Sequence, residues 1–584
     1  MADPDGIERG DAKRADIRFR GRLTAPRIRS PPMDHALPLS SHRRYPLLLG
    51  AVNLDGKPVS TRFFDEAPDA RILVRNGFME VRSVGPVEGR GTSGFYWGAA
   101  LPSRGHQDAW KAISEDLGAA GMFREGRRWV LFTDSLGINS LYLREYEGYL
   151  FFSNRMSPLV AVPGSLNVDW SAWASIFVLG GPLGETTPFL EIRRLEGASG
   201  LALEKGKLSR LSYMPGWLAG DGLATDTGAL VDAVRGALPA RSVLPQSPGI
   251  PLSGGWDSRL LAGLATESYS GRLRAWTSAS DDGFDLDVPY ASAVARTLRL
   301  RHTTFSQPDS GWPDLATETR VRAQFETWLH TWLTPLFRRI RHDEASVLDG
   351  LAGDVLIKGL FVTERLLDLP PEQRLERLFR RLGYQPDDRF MTGLRPRAGN
   401  GIVETAQQSF LSVAARYSDH LNHLALTVLH TRTTRVVGIA PTTLLAPEVK
   451  TWFPFLDPDV LRISLNIGPN LKTGGALYRD VLRRGVPRVA DLPSTNDPTP
   501  PKRTPAGHRL QASTEATDWM IDSVLASPIV VDLLVPEVAE DLRQKGPTWE
   551  RPSPQMERLL LAGSLLAQWE RFYRGRITLA SPPW

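Results

Sequence analysis

The stretch Pro251-Leu252-Ser253-Gly254-Gly255-Trp256-Asp257-Ser258-Arg259 holds residue types that can grip a polyphosphate. It follows the short apolar run 249–252 and leads into Leu260, Leu261 and Ala262, which read as the buried side of a helix. A strand, a Ser-Gly-Gly turn and a helix make a compact anion site. Gly254 and Gly255 let the backbone approach phosphate oxygens, and the first helical N–H groups point at the ligand. Leu252, Ser253 and Ser258 complete the expected nucleotide-binding loop. Asp257 cannot attract phosphate, so the chemistry open to it is to hold a magnesium ion between phosphates. No Lys stands where a Walker loop needs one. A Gly-Gly pair alone is only a turn; the strand before it and the helix after it make the difference. Arg259 reads either as a phosphate or carboxylate contact or as half of a structural ion pair.

A second acidic element is LDGLAGDVLIKG, residues 348–359. Asp349 and Gly350 end a strand-like run, and Asp354 follows one turn later. Asp354 can cap a helix or complete a magnesium site with Asp257. Thr277 and Ser278 close another strand-like run, 273–278, and are expected at the nucleotide as well.

These residues need elements to bring them together. Around the loop, strand-like and helical segments alternate: 273–278, helix 286–298, strand 302–305, a long helical stretch 315–340, strand 346–349. Alternation of this kind implies a doubly wound parallel sheet, whose ligands sit beyond the carboxyl ends of the strands. From about 355 onward the pattern is mainly helices and loops. Before it, from Tyr45 to Tyr213, short strands and turns dominate, such as 46–52, 129–133 and 149–153, with one helix expected near 107–119. Residues 1–45 have charge, Pro and Gly without any period and read as a disordered basic tail. Met33 is an alternative start of translation. The domain expectation is therefore 1–45 tail, 46–213 first domain, 214–230 linker and 231–584 second domain. At 584 residues, and with about 150 residues per domain as a prior, several cores are required.

The loop resembles the SGGxDS pyrophosphate loop of the asparagine synthetase family of ATP-cleaving enzymes. Several further strings extend the resemblance over roughly residues 46–510. Residues 348–359 are similar to that family's SGEGADE element, with Asp349-Gly350 at the Ser-Gly that packs on adenine and Asp354 at the metal-binding Asp. Leu351 and Val355 stand where the family has acids, so neither can do acid–base work. WFPFLDPDVLRISLNI, 452–467, resembles the PFLD element, which assigns Phe455 and Leu456 to packing and Asp457 to a cap. Leu477 and Arg479 fall in the family's LR places, but its following WRxK, whose Lys supports the pyrophosphate, is missing. Charge accumulates on pyrophosphate in the transition state, and Lys502 or Arg503, on the Pro-rich loop that replaces WRxK, is the cation expected to meet it.

The run 132–160 is similar to the RDxxGxxPLYY…SE segment of class II glutamine amidotransferase domains, with Asp134, Gly137 and Tyr142 in register. The resemblance implies an N-terminal amidotransferase-like (Ntn-type) α+β sandwich followed by an ATP-pyrophosphatase-type synthetase domain with a helical C-terminal part. That amidotransferase fold releases ammonia with an N-terminal Cys, and this chain has none. A glutaminase is therefore excluded, so the amine is not glutamine-derived ammonia, and a substrate that carries its own amine suits an intramolecular cyclisation. Together these features resemble the lasso peptide cyclases of the family. The resemblance implies adenylation of an Asp or Glu side chain of a precursor peptide and attack by its N-terminal amine, with ATP and magnesium (Mg2+) as cofactors. It also implies a leader peptidase and a leader-binding protein as pathway partners. Two alternatives stay open: a small-molecule synthetase of β-lactam or ammonia-dependent asparagine type, and a non-catalytic scaffold.

Absence of Cys also removes disulfides and thiolate metal sites and is compatible with a cytoplasmic location. Of the net charge of +5, residues 1–45 supply ten basic against six acidic groups, so the remainder is near neutral. No nucleic-acid footprint follows. No apolar run reaches transmembrane length, so no membrane insertion is expected.

Overall fold

The computed structural model describes residues 47–584 apart from 65–69, 86, 88–93, 99–117, 205–206, 220–225, 242–243, 245–246, 270–272, 280–285, 384–392, 498–510, 512 and 545–553. The expected tail, most of the expected helix at 107–119, and both Lys502 and Arg503 lie outside the described residues. Ala119, placed at the end of that helix, instead opens a strand, Ala119–Glu125.

The first half is built on two antiparallel sheets. In the six-stranded one, Leu47–Asn53 is central, flanked by Met79–Val84 and Tyr149–Ser153. In the five-stranded one, Arg128–Phe132 lies between Ala119–Glu125 and Ser199–Glu204. Leu48, Val52, Met79, Val81, Met122, Leu131 and Leu203 form a core between the two sheets. The alternation of these strands puts every second side chain into that layer. The opposite face of the six-stranded sheet, with Ala51, Tyr142 and Phe151, packs on helices including the strongly apolar Trp170–Leu179. This is the layered arrangement expected of an amidotransferase-like sandwich.

The expected linker is tied down in part. Trp217, in the short 3-10 turn Gly216–Leu218, is buried and its indole N–H donates to Ser135 at 3.1 Å. The next helix begins at Thr227, with Asp226 accepting from the Gly228 and Ala229 amides, so it starts before the 230 boundary. Asp226 is an ordinary N-cap whose signal lies one turn ahead of the first apolar residue.

The second half contains the parallel sheet. Ile250–Pro251, Arg274–Ser278 and Arg301–Phe305 pair in that order, all parallel. Ser346–Leu348 pairs in parallel with Lys450–Trp452. A parallel bridge between Gly249 and Val347, with Gly249 N–H to Ser346 carbonyl and Leu348 N–H to Gly249 carbonyl at 2.9 Å each, joins the two pieces. Taken in chain order, the strands stand third–second–first–fourth–fifth, a doubly wound arrangement. Its switch point lies between the first strand and the fourth, the two whose ends bear the Ser-Gly-Gly turn and Asp349-Gly350. The fifth strand escapes a reading of the sequence because Lys-Thr-Trp is too short to show a period.

The stretch expected as one helix over 315–340 is two, Trp312–Arg322 and Thr334–Asp343. Between them Gln324, Phe325 and His330 take positive φ, which no continuous helix accommodates. Phe325, Trp328 and Phe337 are buried core.

Candidate active site

The helix Trp256–Ser268 starts at Gly255 without any side-chain cap, so its first-turn amides are not satisfied by a capping residue. The turn before it is held from three sides. The Ser253 amide donates to the Ser258 hydroxyl at 3.0 Å, and the Gly255 amide to the Ser253 hydroxyl at 3.2 Å. The Gly254 amide donates to the Asp287 carboxylate at 2.7 Å, so it is engaged within the protein. The Gly254 carbonyl accepts from the Ser494 hydroxyl at 2.9 Å and the Thr495 amide at 3.2 Å. A side chain at 254 would meet Thr495 at 2.9 Å and Tyr290 at 3.1 Å, which is why glycine stands there.

Asp257 and Asp354 come together at the switch point. The helix Gly353–Ile357 presses its first residue on Asp257: a Cβ on Gly353 would stand 2.8 Å from the Asp257 Cγ and 3.0 Å from the Phe455 ring. Gly350 packs on the same carboxylate's stem, its missing Cβ being 3.2 Å from that of Asp257. Tyr478 donates its hydroxyl to Asp257 Oδ1 at 2.6 Å. Burial and the neighbouring Asp354 charge push the Asp257 carboxyl well above the usual range. Burial raises Asp354 too, against the opposing field of Arg432. Asp349 accepts from the Leu351 amide at 2.9 Å, and burial pushes it up to about 6.

Two adjoining buried carboxylates stay above their usual pKa despite the fields of Lys358 and Arg432, and a divalent cation is the group that would complete their counter-charge. The donor set is all oxygen and holds two side chains. That suits magnesium, which keeps waters and takes its remaining ligands from phosphates. Among the described residues no cluster of three or more His, Cys, Asp or Glu could hold a metal without such help.

Not every expected contact faces the site. The Thr277 hydroxyl ties strands together, donating to the Leu252 carbonyl at 2.6 Å and lying 2.8 Å from His302 Nε2. Ser278 donates to the Ala279 carbonyl at 3.3 Å. Arg259 is neither of the things its position suggested. It is fully buried, and its guanidinium donates to the carbonyls of Val489, Leu492 and Pro493, at 3.2, 2.6 and 2.6 Å. It clamps the turn that leads into Ser494, so its place is under the loop. Asp457 caps the helix Pro458–Asn466, accepting from the Asp459 amide at 2.9 Å, and Phe455 is buried. Leu351 and Val355 are buried and apolar where acids stand in the resembling family.

Lys358 is the residue that reading the sequence missed. It follows the Asp354 helix, and its ammonium donates to Asn496 Oδ1 at 2.6 Å and lies 5.3 Å from the centre of the Trp256 ring. The Asp-x-x-x-Lys spacing of 354 and 358 was visible, since residues four apart share a helix face. The resemblance points instead to Lys502 or Arg503, on the Pro-rich loop that follows the LR element.

The match to a family model now bears on this geometry: residues 228–496 match the model for asparagine synthase. That span is similar to an asparagine synthase domain. The comparison with curated proteins returned no match. The matched span takes in all five strands of the doubly wound sheet, the Ser-Gly-Gly turn, both acids and the Ser494–Asn496 segment. The asparagine synthase domain indicates an ATP-dependent, amide-forming ligase in general. The Asp134, Gly137 and Tyr142 motif lies ahead of it and has structural duties here. Asp134 accepts from the amides of Leu136, Ile138 and Asn139, at 3.1, 3.0 and 2.8 Å. Tyr142 donates to Glu326 at 2.9 Å and so joins the sandwich to the synthase domain.

Proposed function

We propose that this protein joins a peptide's own amine to an Asp or Glu side chain of the same peptide at the expense of ATP, releasing AMP and pyrophosphate. The observation that carries the reading is the meeting of Asp257 and Asp354 beside an uncapped helix start at the switch point of a parallel sheet. Asp257 and Asp354 would hold magnesium, which when bound neutralises phosphate charge.

In the first step a carboxylate oxygen of the substrate attacks the α-phosphorus, and the bond to the β-phosphate's bridging oxygen breaks. The first-turn amides of helix Trp256–Ser268 orient the phosphates. In the second step the amine attacks the acyl carbon, the bond to the AMP oxygen breaks, and the ammonium's proton is lost. Positioning and electrostatics do most of this work. With no Cys anywhere in the chain, glutamine cannot supply the amine through a thioester. A substrate that carries its own amine removes that need, which supports macrolactam formation over ammonia transfer. A peptidase acting earlier, to free that amine, and a protein that delivers the precursor's leader are the partners such a reaction needs. Among the described residues no helix is long and apolar enough to cross a membrane.

The test is incubation with Mg-ATP and a peptide bearing a free N-terminal amine and an internal Asp or Glu. AMP release with loss of one water from the peptide is expected, and added glutamine should leave the rate unchanged. Formation of ADP in place of AMP would overturn adenylation. AMP release from aspartate and ammonia without peptide would overturn the peptide substrate.

A further inference from the structure

Adenylation leaves pyrophosphate as a highly charged group, and a fixed cation facing it lowers the barrier. Arg432, Arg479 and Lys358 are basic side chains near the rim, and they are placed differently. Arg432 sets its charge against Asp354 and stacks on Phe361, 5.1 Å from its ring centre. Arg479 also lies over Trp256, at 5.7 Å, but donates to the Gly474 carbonyl on an exposed turn at 3.2 Å. Lys358 is within electrostatic reach of Asp257, Asp354 and Asp497 together.

Three separate elements fix that ammonium. It stands at the end of the helix bearing Asp354, it rests on the indole of the first residue of the Asp257 helix, and it donates a hydrogen bond to Asn496 Oδ1. Asn496 in turn lies against the glycine turn, its Nδ2 being 3.3 Å from where a Cβ of Gly255 would be. The neighbouring Ser494 and Thr495 grip the Gly254 carbonyl. The ammonium is therefore held between the acid pair and the phosphate turn.

We propose that Lys358 is the cation that binds the β- and γ-phosphates and takes up the charge of departing pyrophosphate, with Asn496 as its positioning residue. The proposal rests on the reading of this rim as an ATP site. A lysine suits the task because its ammonium is a compact point charge with three donors, one of which is already used to aim it.

Calorimetric binding of Mg-pyrophosphate and, separately, of AMP tests the assignment without needing the peptide. Wild type should bind both. Lys358→Ala should weaken Mg-pyrophosphate binding at least about tenfold, a change of roughly 1.4 kcal/mol, and leave AMP within twofold. Lys358→Arg should recover most of the loss, and Asn496→Ala should show a smaller loss of the same kind. Equal weakening of both ligands in Lys358→Ala would mark a structural role and overturn the assignment, as would unchanged pyrophosphate binding. If wild type bound neither ligand, the ATP-site reading itself would fall.

Discussion

At the scale of single residues, the acid pair decides what this protein can do. Burial and the adjoining Asp354 charge raise the cost of ionising Asp257, and the Tyr478 hydroxyl, the Lys358 ammonium and the Asp354 amide offset only part of it. Asp257→Ala should reduce AMP formation by at least about 10³-fold and Asp354→Ala by about 10²-fold, the range seen when a charge-stabilising group is removed. AMP release under saturating Mg-ATP is the measurement, and normal turnover in either variant would remove the magnesium assignment. A pH effect follows from the same geometry. In the free protein both carboxyls are held above their ordinary values, and Asp349 sits near 6. Binding Mg-nucleotide requires the pair ionised, so protons must leave on binding, and affinity must fall as pH falls. Titrations at about pH 6 in buffers of different ionisation enthalpy should show net proton release. Affinity should be higher at about pH 8, and proton uptake at the lower pH would contradict this account.

The elements explain why those residues meet. The helix Gly353–Ile357 and the helix Trp256–Ser268 touch through a glycine because any side chain at 353 would occupy the Asp257 carboxylate's place. Gly353→Ala should therefore displace that carboxylate, lowering AMP formation at least about tenfold and stability by about 1–3 kcal/mol. Gly236, near the end of its helix with open space around it, is the control. Gly236→Ala should leave activity alone and raise the melting temperature slightly. Equal behaviour of the two variants would show that the close approach at 353 has no catalytic meaning. Arg259 teaches the same lesson from the other side. Its position one residue past the loop suggested an ion pair or a ligand contact, yet its guanidinium satisfies three carbonyls of a turn more than two hundred residues away. No local pattern contains that information.

Across the whole molecule, the amidotransferase-like sandwich and the synthase domain share one hydrophobic core. The helix Pro554–Phe572 is the wedge between them. Trp569 meets Trp173 and Phe189 of the sandwich side at 5.3 and 5.2 Å, and Tyr573 meets Phe189 and Phe325 at 5.0 and 5.7 Å. Trp569 is fully buried, so Trp569→Ala should cost about 3–5 kcal/mol. Calorimetry should show the two halves unfolding in one transition, in wild type and variant alike. Two resolved transitions would mean that the halves are energetically independent.

By itself the sequence determined the composition of the site. The strand–turn–helix signature, the two acids, the absence of Cys and the alternation that builds a parallel sheet are local patterns, set by backbone geometry and hydrophobic period. Distance between parts was decided only in three dimensions. Lys358 reaches the glycine turn through Asn496, which lies 138 residues further on, and Arg259 is engaged by the carbonyls of Val489, Leu492 and Pro493. Thr277 is spent on a neighbouring strand, and a three-residue fifth strand closes the sheet beside Asp349. Each depends on contacts between segments far apart in the chain, where packing and the pairing of buried polar groups outweigh any preference a short stretch can express.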